Sequence, residues 1–186
     1  MMILSLVAIA PWFDISGGLA LRDSAQGISY GLDGGLQSDV NSFIIGASIG
    51  YHRFSLDYQE DTLAGPAGGG FQPGLAQLHQ SCDAMNLSLS PGWKKGSFQL
   101  EGFLGISLHL SNRSFDQEGK IIHAYPDRAV GLLGLALIWR GDNMGLGLNG
   151  NLHTGKAQDA FKTLGLFVRF YPGAHNTESN STNPEE

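Results

Sequence analysis

The sequence predicts an all-β chain, a closed antiparallel up-and-down barrel of about eight strands. Three observations carry this. Large apolar residues alternate with small or polar ones over most of the chain, the period of a strand with two unlike faces. Glycine is abundant, 27 of 186 residues, about twice the usual share of roughly 7%, and no long window places apolar residues at helical spacing. The connections between the alternating stretches run long, short, long, short.

Residues 1–11 are apolar and end in Ala8-Ile9-Ala10, the small-x-small pattern of an export-signal cleavage site. No basic region precedes it, so an ordinary apolar lead-in reads as well as a signal remnant. A barrel domain is expected over residues 12–172 and a polar, disordered tail over 173–186. The first strand runs through Phe13, Ile15, Gly17, Leu19 and Leu21. Residues 22–41, with Asp33-Gly34-Gly35, read as a long loop that can carry an extended hairpin arm through Ile28 and Tyr30. Phe43, Ile45, Ala47, Ile49 and Tyr51 form the second strand, His52-Arg53 a tight turn, and Phe54, Leu56 and Tyr58 the third strand. Residues 61–80 hold Gly65-Pro66-Ala67-Gly68-Gly69-Gly70 and read as a loop.

Met85, Leu87 and Leu89 mark the fourth strand. After a turn at Lys94-Lys95-Gly96-Ser97, the fifth carries Phe98, Leu100, Leu104, Ile106, Leu108 and Leu110 on one face. Residues 111–127 read as a long polar loop. Residues 129–139 are the sixth strand and Met144 to His153 the seventh, joined by Arg140-Gly141-Asp142-Asn143. The last strand is Leu164-Gly165-Leu166-Phe167-Val168-Arg169-Phe170, followed by Tyr171-Pro172. Loops around Gly68, Glu118 and Lys156 are expected at one end, and turns at Arg53, Lys95 and Asp142 at the other. Trp12, Trp93 and Trp139, with Tyr51 and Tyr171, are expected to form an aromatic girdle at the short-turn end.

The faces decide which side is inside. The face opposite the large apolar residues carries Gly, Ser, Asn, Asp, Glu, Arg and His with few lysines, whereas a solvated surface favours Lys and Glu. Small residues with isolated charges suit a narrow lumen, and eight strands leave an interior that side chains fill. A transmembrane barrel with its apolar side to lipid and no open pore is therefore predicted, with no cofactor. A soluble ligand-binding barrel is the alternative with the faces reversed. The net charge of −6 speaks against a nucleic-acid partner, and the single Cys82 allows no internal disulfide.

These features together resemble the small eight-stranded outer-membrane barrels of the OmpA/OmpX type. The resemblance covers residues 12–171 and rests on the strand rhythm, the loop alternation and the terminal strand ending in an aromatic. It implies a monomer in a bacterial outer membrane, surrounded by lipid and lipopolysaccharide, with outer loops available to an extracellular partner.

Two motifs and one charge cluster are candidate sites. Gly150 to Ala157 approaches a phosphate-binding loop, but Ala157 stands where Ser or Thr would hold magnesium and no helix pattern follows. The six histidines show no metal-ligand spacing. His109-Leu110-Ser111-Asn112 resembles the His-x-Ser-Asn signature of the lipid A deacylase barrels, which implies an esterase with His109 and Ser111 as its catalytic pair. The family carries this signature near the end of its seventh strand. Here it ends the fifth, and after His153 the serine position is Gly155. The charge cluster follows from closure. Arg169 near the end of the last strand and Asp14 near the start of the first share the polar face at one height. Glu101 and Asp57 are expected to extend this lumen network. Treated as an isolated pair, Asp14 and Arg169 predict that Asp14→Leu is more destabilising than Asp14→Leu with Arg169→Leu.

Overall fold

The computed structural model describes residues 9–23, 25–64, 72–156 and 160–172. The strands are β1 (Ile9–Arg22), β2 (Ala25–Val40), β3 (Phe43–Ala64), β4 (Gln72–Lys95), β5 (Phe98–Phe115), β6 (Ile121–Tyr125), β7 (Arg128–Arg140), β8 (Met144–Thr154) and β9 (Phe161–Phe170). Every pairing is antiparallel. β1 pairs with β9 as well as β2, β4 with β5, and β5 with β7, so eight strands close a ring. β6 stands outside it, pairing with β5 at Asn112–Phe115, beyond the point where β7 stops. The fold is an all-β antiparallel barrel, as the alternation predicts.

The eight strands are not the eight drawn from the sequence. Residues 25–40, expected within a loop, form β2 and pair along their length with β1 and β3. The tight turn expected at His52-Arg53 does not exist. β3 runs through it, paired with β4 from Phe43↔Trp93 to Ala64↔Gln72. The large residues change face there because the surroundings change. Phe43, Ile45, Ile49 and Tyr51 are exposed on the outside, whereas Phe54 and Leu56 are buried inside, with Arg53 and Asp57 outward. A strand that leaves an apolar medium for water inverts its alternation without breaking.

The loop expected over 61–80 is likewise mostly strand, and β5 and β6 take up much of 111–127. Residues 41–42, 96–97 and 141–143 are the short turns of one end, where β1 also starts and β9 ends. The first connection of the opposite end is tight too, with Asp23 at φ 48°. The Glu118 and Lys156 connections are at that opposite end, and Gly68 lies outside the described residues. Residues 1–11 and 173–186 also lie outside them, except Ile9–Pro11, which open β1.

An apolar band covers the exterior of all eight ring strands. Leu104 is 60% exposed, Leu135 63% and Trp139 66%. On β3 the band spans residues 43–51 and on β8 residues 144–152, matching the roughly 9–11 residues with which a tilted strand crosses a bilayer's hydrocarbon core. Phe43 faces Trp93, Phe98 faces Trp139, and Phe13 stacks on Phe170 at 4.7 Å, making an aromatic border at the short-turn end. The expected girdle needs correction at three residues. Trp12 and Tyr171 are buried in the lumen, and Tyr51 belongs to the opposite border beside Tyr30.

Candidate functional site

Buried side chains stand in layers along the inside of the ring. Near the short-turn end Arg169 is fully buried, at 0% exposure. The β1–β9 register sets Asp14 opposite it. Arg169 Nε donates to Asp14 Oδ1 at 2.8 Å and Nη2 to Asp14 Oδ2 at 2.9 Å, a two-pronged clamp. Its third nitrogen, Nη1, donates to Glu101 Oε1 at 2.7 Å. Gln99 Nε2 donates to the same oxygen. The guanidinium lies 3.9 Å from the centre of the Trp12 ring, which supplies cation–π attraction in a desolvated site. Below, Arg140 stacks on Tyr171 at 4.1 Å and approaches Asp39, which also receives Lys94. Thus Asp14, Arg169 and Glu101 stand together.

Asp57 does not join them, and this corrects the expected network. With residues 43–64 in one strand, Asp57 falls on the outward face, where His79 Nδ1 lies 2.8 Å from its Oδ1. The lumen acid at mid-height is Asp33, from the stretch read as a loop, 2.9 Å from His52 Nε2. Gly50 makes room for it, since a Cβ there would fall 1.8 Å from Asp33 Oδ1. Ser48, Asn86, Ser88, Asn149 and Asn151 complete this layer around a cavity of about 30 Å³.

Above lies an apolar layer of Ala20, Phe54, Leu56, Cys82, Ala84 and Phe161. Phe54 stacks on Phe161 at 5.3 Å, and His153 meets Phe54 edge-on at 4.9 Å. His109 sits among these rings, 5.9 Å from His153 and 5.7 Å from Phe161. The expected partner Ser111 is not with it. The register shifts so that Ala84 faces His109 but Asp83 faces Ser111, leaving Leu110 as the extra residue of a bulge. The bulge puts His109 inside and turns Ser111 outward, so the two do not form a catalytic pair.

At the end opposite the short turns Arg22 donates to Gln80 Oε1 and Tyr58 donates to Ser114 Oγ at 3.0 Å. Outside β3 and β4 a cleft of about 600 Å³ is lined by Gln26, Asp57, Gln59, Gln77, His79 and Gln117, among others. Here His79 bridges two β3 residues, Asp57 through Nδ1 and Ser55 Oγ through Nε2 at 3.0 Å. Sequence reasoning missed Ser55 and His79. They lie 24 residues apart and meet only because β3 and β4 pair above the band. Among the described residues no group of three metal-binding side chains occurs.

No protein-family model and no curated protein matches the chain. Solved structures do. Ail, the attachment invasion locus protein of Yersinia pestis, crystallised with the heparin analogue sucrose octasulfate, superposes with a TM-score of 0.54 at 11% identity, over 88% of this chain and 96% of that one. A major outer membrane protein from Thermus thermophilus gives 0.51 at 14% identity, over 87% and 99%. At such identities the likeness is one of architecture, and the chain has the fold of the small eight-stranded outer-membrane β-barrels.

Proposed function

We propose that this chain is a monomeric outer-membrane barrel of surface-interaction type, held among lipid and lipopolysaccharide, with a closed lumen and with its outer loops available to partners. The observation that carries this reading is the pairing of an apolar exterior with layers of buried side chains inside. An exterior of Leu, Ile, Phe and Trp on every ring strand needs lipid around it. The buried Arg169 layer and the Phe54–Phe161 layer support a closed lumen and a task other than conduction.

What remains is the outer end, where β3 and β4 pair beyond β2 and β5. Loops on a rigid barrel suit recognition. The sulfated saccharide held by Ail does not transfer readily. The cleft here is lined mainly by amides, carboxylates and His79, with no Lys or Arg among its described lining residues, so a polyanion is a poor fit.

The test is fractionation of the chain expressed behind an export signal, with a detergent gel of heated and unheated samples. Recovery in the outer membrane with a heat-dependent mobility shift is expected. A soluble periplasmic protein with no shift would refute the reading, as would steady stepwise conductance in a planar bilayer.

A further inference from the structure

We propose that Ser55, His79 and Asp57 form a serine-hydrolase triad on the outer face of the barrel, acting on carboxylic esters. This goes beyond surface interaction and does not depend on it. Ser55 and Asp57 are two apart on β3, so both point outward. His79 on β4 lies directly opposite Asp57 and diagonal to Ser55. Its ring reaches both, Nδ1 to Asp57 Oδ1 at 2.8 Å and Nε2 to Ser55 Oγ at 3.0 Å.

An ionised carboxylate only accepts, so Nδ1 carries the proton toward Asp57. Nε2 then offers its lone pair, and the Ser55 hydroxyl donates to it. That is the tautomer and chain of bonds that readies a serine for attack, whatever the fold that presents it.

Side-chain amides lie beside Asp57 and His79. Gln26, Gln59, Gln77 and Gln117 line the cleft that Asp57 and His79 share. Gln117 Nε2 donates to Gln77 Oε1 at 3.0 Å, tying the loop after β5 to β4. Side-chain amides are neutral donors of the kind that hold an oxyanion.

The chemistry balances with water as the only co-reactant. Ser55 Oγ bonds to the ester carbonyl carbon while its proton passes to His79 Nε2. The carbonyl oxygen takes the electron pair as an oxyanion, the charge that amide N–H donors hold in such sites. As the carbonyl re-forms, the C–O bond to the alcohol breaks and His79 returns the proton to that oxygen. Water then attacks the acyl-serine with His79 again taking and returning a proton, which releases the acid and frees Ser55. Asp57 is a positioning residue that holds the ring.

The location bears on the source of the ester. Ser55 is four residues beyond Tyr51, about 13 Å along the strand and about 10 Å above the apolar border at a tilt near 40°. A soluble ester reaches this site directly, and so does an acyl ester lifted from the adjoining lipid surface.

The experiment uses the full chain folded in detergent micelles, with the heat-dependent gel shift as the folding control for every variant. A fluorophosphonate probe is expected to add to Ser55, located by peptide mass, and to leave Ser55→Ala unlabelled. Hydrolysis of p-nitrophenyl butyrate should fall to the buffer rate in Ser55→Ala and by roughly 100-fold or more in His79→Gln. It should be unchanged in Ser111→Ala. Asp57→Asn should lower kcat at constant KM, with partial recovery in Asp57→Glu, a split that a purely structural aspartate would not give. Mixed micelles of a long-chain phosphatidylcholine form the second arm. Turnover there assigns a lipid ester, and turnover of the butyrate alone assigns a soluble one. Folded protein that turns over neither ester and takes up no probe, or variants that match the wild type, would overturn the proposal.

Discussion

Removing charges one at a time from the Arg169 layer gives a graded result that only a three-membered cluster predicts. In Asp14→Leu the arginine loses two of its three ionic bonds but keeps Glu101 at 2.7 Å, so a buried neutral pair survives. In Arg169→Leu two carboxylates, Asp14 at 7% exposure and Glu101 at 1%, are left facing each other without a cation. Breaking a buried pair costs about 3–5 kcal/mol. Arg169→Leu should lie at or above the top of that range and Asp14→Leu near the bottom.

The double variant Asp14→Leu with Arg169→Leu leaves Glu101 alone and stays severely destabilised, which reverses the order expected from an isolated pair. Adding Glu101→Leu removes the last unpaired charge, and the triple variant should regain most of the loss, since replacing a buried ion cluster by apolar residues is often close to neutral. Equilibrium unfolding in urea, with the protein in detergent or vesicles, reads this out. At a slope of about 2 kcal/mol per molar, 4 kcal/mol moves the midpoint by about 2 M. A triple variant no more stable than Arg169→Leu, or an Asp14→Leu as damaged as Arg169→Leu, would refute the three-membered account.

Three further outcomes are expected. Leu135→Arg, in the middle of the apolar band, should cost about 2–4 kcal/mol in a bilayer, measured by the same titration, while Ser55→Arg above the band should cost little. Gly147→Leu should destabilise by about 1–3 kcal/mol through overpacking, because even a Cβ there falls 2.3 Å from the Phe167 ring; a neutral melt would show that the lumen is loose. In single-tryptophan variants, brominated lipid should quench Trp93 and Trp139 but leave Trp12, which is 3% exposed inside the barrel, nearly unaffected.

The architecture was legible in the sequence because a barrel strand that crosses lipid carries a physical constraint at every second residue. Phe98 to Leu110 and Leu164 to Phe170 obey it, and their outward faces are as expected. Asp14 opposite Arg169 followed from closing the last strand on the first and counting from each end. β2 was missed because its lumen face is built for packing around larger neighbours. Gly35 is small since a Cβ there would strike the Trp12 ring at 2.6 Å, and with Asp33 and Gly34 it gives a stretch that reads as a turn. Its outward face, Ile28, Tyr30, Leu32 and Leu36, does alternate, and the extended arm expected through Ile28 and Tyr30 uses part of that signal. The strand count agreed only because the lost β2 offset the splitting of β3.

The false turn at His52-Arg53 shows how much one inversion of phase conceals. A period of two says that a strand has unlike faces, and does not say which medium each face meets. Below Tyr51 the large residues of β3 face outward except Ile44, and above Arg53 Phe54 and Leu56 face inward. Both halves obey the same rule, that bulky apolar groups avoid water, applied to two different surroundings. Read as a turn, the inversion separates Ser55 and Asp57 from the transmembrane stretch and places Asp57 in the lumen. Read as a border, it marks where the lipid ends, and it turns Ser55, Asp57 and His79 together onto the outer surface just beyond that line. Sequence alternation therefore locates the membrane boundary on this strand, and the polar residues next beyond it on the outward face are the ones positioned to meet a substrate or partner.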